Sequence, residues 1–285
     1  MINITTNQKM KKILAINPID TPDEDISQSA ICIAKSLKAE TFLWMKVDAG
    51  FVQNKKKEVV HAGDVDTVID EVPLDEFDGV RERGLADKPK VEGSVSHLLE
   101  IKYSNDLLSD IVRKEQIELV VISSGAKNSV PDVPESEVYD ILEKAKCPVL
   151  IIPKNHVIKN IDNIAYVTDL RYCDMSVIRP LVKLAGAFRS GIQLVHLTAD
   201  GLPEMAECYM RDYFKHELSR LMNYPKVRYV NLKHKNKAEE LNQKMSEIKA
   251  DMMVLQWKRH GMFNKLFKAS SSVYDFSRIP LILFP

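Results

Sequence analysis

The chain has 285 residues, enough for about two domains. Its 40 Lys and Arg balance 40 Asp and Glu, which argues against holding nucleic acid by overall charge. With 45% apolar and 28% charged residues it is ordinary globular material, not a disordered chain.

In chain order, Ile13 to Asn17 reads as a short buried strand. Asp25 to Leu37 places Ile26, Ala30, Ile33, Ala34 and Leu37 at helical spacing. Thr41 to Val47 and Val95 to Ile101 read as strands, separated by a charged stretch from Gly50 to Lys90 with poor periodicity. A helix over Asn105–Lys114, a strand over Leu119–Ile122, a helix over Ser136–Lys146 and a strand over Val149–Ile152 follow. Lys154 to Asp162 is polar and reads as a linker. The order then recurs. Strands are predicted at Ile164–Thr168, Ile192–Leu197, Val227–Leu232, Met252–Leu255 and Leu281–Phe284. Helices are predicted over Asp174–Phe188, Pro203–Met222, Lys237–Ile248 and Ser271–Ser277.

The recurrence is an internal repeat. Cys147-Pro148-Val149-Leu150-Ile151-Ile152-Pro153 matches Ile279-Pro280-Leu281-Ile282-Leu283-Phe284-Pro285, 132 residues later. Lys12-Ile13-Leu14-Ala15-Ile16-Asn17 matches Asn163-Ile164-Ala165-Tyr166-Val167-Thr168 at an offset of 151. The extra residues of the first copy fall between Gly50 and Lys90. Short apolar strands alternating with helices imply parallel sheets covered on both faces, so the fold class is α/β, two doubly wound units in tandem. The expected units are 11–154 and 163–285.

Charge is segregated along the chain. Glu58 to Asp87 holds ten acidic residues against two basic, and Lys226 to Lys268 holds eleven Lys and Arg against four acidic. Either these are two solvated faces of opposite sign, or the second is a basic partner surface. The four cysteines (Cys32, Cys147, Cys173, Cys208) lack metal-site spacing and read as reduced thiols of a cytoplasmic protein. No apolar run approaches the roughly 20 residues that span a membrane, and no signal peptide is expected at the N-terminus.

A duplicated five-strand α/β unit whose copies each end in a "CPVLIIP"-like strand resembles the universal stress protein family, in its tandem two-domain bacterial form. Thr168-Asp169 and Leu194-Val195-His196-Leu197 add to the likeness. The resemblance implies an adenine nucleotide alpha-hydrolase-like fold with strand order 3-2-1-4-5. It also implies that the fifth strands pair antiparallel, here within one chain through Val149–Ile152 and Leu281–Phe284, as a pseudo-dimer. Further homodimerisation is left open.

ATP-binding members of that family carry an Asp after the first strand, then G-x-x-G, nine residues and G-[S/T] after the fourth. Such glycines let backbone N–H groups approach the phosphates. In the first copy the Asp position aligns with Pro18, and the glycine positions with Ser123, Ala126 and Glu135. A carboxylate where phosphate would sit is repulsive, so this copy is expected not to bind ATP in the family manner. The second copy keeps Asp169, but Gln256, Arg259 and about Ala269 replace the glycines, followed by Ser270. With only 10 Gly in the chain, about half the usual share of roughly 7%, such loops have little material.

Other chemistry is not suggested. There is no P-loop and no G-x-G-x-x-G. The seven histidines show no metal pattern, and His196 reads as a core or strand-end histidine. Ser123-Ser124-Gly125 lacks the partners of a nucleophile. The expectation is a non-enzymatic, cytoplasmic stress-response or regulatory protein without cofactor or metal, acting through protein partners and not through nucleic acid or membrane. Asp169, Leu197, Gln256, Arg259 and Ser270 would line a reduced cleft in the second copy. The alternative is an ATP sensor using the second copy alone. Asp169 could instead be a helix cap or turn residue.

Overall fold

The computed structural model describes residues 12–18, 24–39, 41–47, 69–72, 98–102, 107–125, 133–198, 202–232, 238–257 and 272–285. The strands are β1 (Lys12–Pro18), β2 (Thr41–Val47), β3 (Ile69–Val72), β4 (Leu98–Lys102), β5 (Leu119–Ser123), β6 (Val149–Ile152), β7 (Asn163–Thr168), β8 (Gly191–His196), β9 (Val227–Asn231), β10 (Met252–Gln256) and β11 (Leu281–Phe284). They form one 11-stranded sheet in the order β3-β4-β2-β1-β5-β6-β11-β10-β7-β8-β9.

This sheet is the expected repeat laid end to end. β4-β2-β1-β5-β6 and β9-β8-β7-β10-β11 are each a 3-2-1-4-5 parallel array. The join is antiparallel, with Leu281 opposite Ile151, Ile282 opposite Leu150 and Leu283 opposite Val149. The predicted intramolecular pairing of the two fifth strands is therefore present. It removes two apolar edges that would otherwise invite association.

Alternation along each strand feeds two cores, one per sheet face. Leu14, Ile16, Val149, Ile151, Leu281 and Leu283 face one. Ile13, Ala15, Leu150, Ile152, Ile282 and Phe284 face the other. Both cores run through both halves, so the seam is buried within them on both faces.

The helices that cover these faces are α1 (Glu24–Ser36), α2 (Leu108–Lys114), α3 (Glu135–Asp140), α4 (Met175–Phe188), α5 (Glu207–Tyr213) and α6 (Ala238–Glu247). A π turn (Ile141–Ala145) extends α3. A π turn (Phe214–Leu218) and a last α turn (Ser219–Met222) extend α5. The predicted apolar stripe of α1 is buried as Ile26, Ala30, Ile33, Ala34 and Leu37. Asp174 starts α4, its Oδ1 accepting from the Ser176 N–H at 2.8 Å. With glycine scarce, Lys38, Gln116, Lys146, Arg189, Asn223 and Lys249 adopt the positive φ at which helices commonly stop.

The linker does not float. Ile158 and Ile161 are buried, and Ser29 Oγ of α1 accepts from the Ile158 N–H at 2.8 Å. Asp251 Oδ2 accepts from the N–H groups of Asp162 and Asn163, each at 2.8 Å, fixing the entry to β7.

Two local expectations fail. The charged insertion contributes a strand, β3, antiparallel to β4 at one edge of the sheet. Period-2 patterning over four residues is too short to stand out in so acidic a stretch. The helix expected over Ser271–Ser277 is absent from 272–277, which is turn and bend. Three of those six residues, Val273, Tyr274 and Phe276, are buried. Side-chain burial and two i→i+3 backbone bonds, Asp275 N–H to Ser272 O and Phe276 N–H to Val273 O, hold the segment there without a helix.

Candidate functional site

In an open parallel α/β sheet, ligands dock beyond the carboxyl ends of the strands, where the chain switches direction. In the second half this region lies beyond β7, β8 and β10, and it gathers Asp169, His196 and Gln256.

Asp169 directly follows β7 and is fully buried. It caps the 3-10 turn Leu170–Tyr172 by accepting from the Arg171 N–H at 3.1 Å. The Arg171 side chain then folds back on the same carboxylate. Its Nε donates to Oδ1 at 2.8 Å and its Nη2 to Oδ2 at 2.5 Å. Nη1 donates to the Pro203 carbonyl at 3.2 Å, which ties the pair to the segment before α5. The Asp169 carboxylate raises the Arg171 pKa further above its ordinary value. A two-pronged guanidinium–carboxylate pair of this kind is among the stronger protein hydrogen-bonding units. The signal was present in sequence as Asp-x-Arg, but only the 3-10 turn brings the two side chains together.

His196 ends β8 and is 1% exposed. Its Nδ1 accepts from the Leu170 N–H at 3.3 Å, so the ring is neutral with its proton on Nε2. Burial pushes its pKa down and Arg171 adds to that, while Asp169 opposes it. Nε2 has no hydrogen-bond partner among the described residues. The strand-end histidine expected from sequence is thus a support for the Asp169 turn.

Gln256 ends β10 and is buried. Its Nε2 donates to Asp174 Oδ2 at 3.2 Å and to the Pro285 carbonyl at 3.4 Å. Its Oε1 has no partner among the described residues. Where the family motif has glycine, this side chain binds the start of α4 and the chain end instead. Leu197 is buried in the core, and its N–H donates to the Thr168 carbonyl at 3.1 Å, so it is packing material. Arg259 and Ser270 lie outside the described residues. Cys173, next to this turn, has its pKa pushed up to about 12 by burial, which makes it inert as a nucleophile at neutral pH.

Trp257 leaves the tip of β10 for the first half. Its indole stacks on Tyr139 of α3, centroids 4.6 Å apart and planes 8° from parallel. Glu135, the first residue of α3, makes a second tie between the halves. Its Oε1 accepts from Tyr139 Oη and, at 2.7 Å, from the Val273 N–H. Tyr274 Oη donates to the Val133 carbonyl at 2.5 Å. Burial and the Glu135 carboxylate together raise the Tyr139 pKa. The glutamate that stands at the first copy's phosphate position is therefore a structural clamp across 138 residues of sequence.

In the first half β1 ends at Pro18, a residue without a carboxylate. Ser123 ends β5, where its Oγ accepts from the Gly125 N–H at 3.1 Å. Among the described residues, no group of three or more His, Cys, Asp or Glu is arranged to hold a metal. Among them too, no helix is long and apolar enough to cross a membrane.

No family model and no curated protein matches the sequence. Solved structures do match the fold over nearly the whole chain. A protein of unknown function from Pseudomonas aeruginosa PAO1 is 16% identical with a TM-score of 0.58, covering 96% of this chain and 92% of that one. A putative universal stress protein from P. aeruginosa UCBPP-PA14 is 14% identical with a TM-score of 0.57, covering 96% and 93%. A universal stress protein from Archaeoglobus fulgidus DSM 4304 is 14% identical with a TM-score of 0.53, covering 95% of each chain. The chain has the fold of the tandem universal stress proteins.

Proposed function

We propose that this chain is a non-enzymatic stress-response or regulatory protein of the universal stress protein type, acting in the cytoplasm through protein partners. It does not take ATP in the manner of that family's binders. Residues 11–154 form a degenerate structural unit, and 163–285 keep a reduced cleft around Asp169, Leu197, Gln256, Arg259 and Ser270.

The observation that carries this reading is the state of Asp169. A carboxylate that is to accept hydrogen bonds from a nucleoside must be free to face it. Here both oxygens are held by Arg171 and neither reaches solvent. Releasing the pair to admit a nucleotide would take two charge-assisted hydrogen bonds from a buried carboxylate, at a cost of about 3–5 kcal/mol. Gln256 adds bulk where close backbone approach to phosphate would be needed.

A second reading, ATP sensing by the second unit alone, has one observation in its favour. Gln256 Oε1 and His196 Nε2 are buried at strand tips on either side of β7 with no described partner. A ligand that both donates and accepts would satisfy them.

Calorimetric titration with ATP and Mg²⁺ separates the two. The expected result is no saturable heat up to millimolar nucleotide. One site per chain, lost in Asp169→Ala, would establish the sensor and overturn the first reading.

A further inference from the structure

Among the described residues no strand lies beyond β9, the last of the second half's array. Its side chains have the exposure of an edge. Arg228 is exposed and its strand neighbours are half-buried, whereas β5, β6, β10 and β11 are buried throughout. At the two ends of the β8–β9 ladder, the Ile192 N–H donates to the Lys226 carbonyl at 2.7 Å and the Leu232 N–H to the His196 carbonyl at 3.0 Å. Between those bonds the alternation of a parallel pair turns the N–H and C=O of Arg228 and Val230 toward β8. The same groups of Val227, Tyr229 and Asn231 point outward.

The first half shows what such an edge takes. β4 holds there the place that β9 holds in the second half, third in the 3-2-1-4-5 order. Its outer edge is covered by an antiparallel strand, β3, with Ile69 opposite Ile101 and Val72 opposite Leu98. The first half draws β3 from its extra sequence. Between β8 and β9 the second half has α5 and its extensions, and no strand among the described residues.

A second copy can supply the antiparallel strand, because β9 is its own complement. A two-fold axis at Tyr229 sets Tyr229 opposite Tyr229 and Val227 opposite Asn231, and every outward N–H and C=O is used. An axis at Arg228 would place two guanidinium groups opposite each other and set Asn231 against Pro225, which has no N–H. An axis at Val230 would carry Val227 past the end of the partner strand at Asn231. In the Tyr229 register Arg228 faces Val230, clear of its own copy.

The covering helix suits the same axis. Tyr229 Oη donates to Met210 Sδ of α5 at 3.6 Å, and the Tyr229 ring centre lies 5.7 Å from that of Phe214. Glu207 and Arg211, ion-paired at 2.7 Å, lie on either side of Met210 in sequence. An axis along the sheet normal turns this pair antiparallel to its copy, a complementary arrangement of charge that an unrelated strand would not bring. The chain already joins its own halves by antiparallel edges, β6 against β11.

We propose that the occupant of the β9 edge is the β9 edge of a second copy, in a two-fold dimer whose sheet runs through both chains. Such a contact is isologous and stops at two. With five residues of ladder from each chain it is weak.

Sedimentation equilibrium of the full chain, from micromolar to submillimolar, tests this. The expected mass rises with concentration and levels off at twice that of the chain. Asn231→Pro removes one outward N–H and leaves the bonds to β8 in place. The two-fold counts that loss twice, so self-association should weaken at least about tenfold. Disulfides read the register. In an oxidised mixture of Arg228→Cys and Val230→Cys chains, positions 228 and 230 should link, because they face each other at about 4.5 Å between Cα atoms. In either variant alone the like positions are diagonal, about 8 Å apart and beyond a disulfide's reach. Peptide mapping separates this link from any through the native cysteines. Melting by circular dichroism checks that the variants fold, and should Asn231→Pro not fold, the wild-type mass curve and the cross-link decide. A monomer throughout, a mass that climbs past two chains, a folded Asn231→Pro that associates as tightly as the wild type, or a mixture without the 228–230 link would each overturn the proposal.

Discussion

At the tip of β1 the first half has Pro18, which carries no charge. At the equivalent tip of β7 the second half has Asp169, fully buried and gripped by Arg171. Further along, α3 of the first half begins on Glu135 and runs into the π turn Ile141–Ala145, while residues 273–277, which match that π turn at the repeat offset of 132, are turn and bend. The two are complementary: the Glu135 carboxylate of one accepts from the Val273 N–H of the other. The halves share a backbone plan and have diverged at the strand tips, where this fold places ligands. Each half has turned the polar groups at its tip inward, to its own turn or to the other half.

The most severe way to break the contrast is Arg171→Ala. It takes both charged side-chain donors from a fully buried carboxylate, so urea unfolding should show a loss of about 3–5 kcal/mol. Removing the first half's Lys12–Glu115 pair, 3.0 Å apart with side chains 32% and 14% exposed, should cost at most about 1 kcal/mol by the same measurement. Equal costs would mean that Asp169 is not the special carboxylate.

Next comes the seam. Leu150→Ala or Ile282→Ala removes one of two facing side chains across the β6–β11 join. Each should cost about 2–4 kcal/mol and lower a single unfolding transition. Two separated transitions would mean that the halves fold independently of the join.

The clamp between tips is smaller. A double-mutant cycle on Tyr139→Leu and Trp257→Leu should give a coupling of about 0.5–1.5 kcal/mol from the stacked rings. Zero coupling would remove the rings from the clamp.

The mildest effect is pH dependence. Burial depresses the pKa of His196 and also of His156. The unfolded chain binds these protons first, so stability present above the ordinary histidine value of about 6.5 is lost as pH falls through the folded pKa. Chemical denaturation from neutral pH downward should show this slope. His196→Gln should remove part of it, His156→Gln another part, and a profile unchanged by both would contradict the assignment.

Architecture was legible because it is written twice. The Pro148 and Pro280 strands, 132 residues apart, predicted the unit, and the family resemblance implied the way two units join. Buried strands announce themselves, since residues packed on both faces must be apolar. The tips were only half legible. Pro18 and Asp169 could be read off directly, and Asp169 proves to be the turn cap weighed beside its ligand role. Its pairing with Arg171 depends on one 3-10 turn, and local conformation of that kind leaves no periodic signal. The tie from Glu135 to Val273 spans 138 residues and uses a backbone donor, which every residue but proline possesses, so no residue type marks it. β3 was hidden by its length and its charge.

Mass spectrometry of the freshly purified and denatured protein tests the central claim most directly, because it asks whether any nucleotide travels with the folded chain. With Asp169 committed to Arg171 in the one half and Pro18 in its place in the other, the expected result is no adenine nucleotide above trace. A stoichiometric amount would contradict the account and return Asp169 to the role of a ligand.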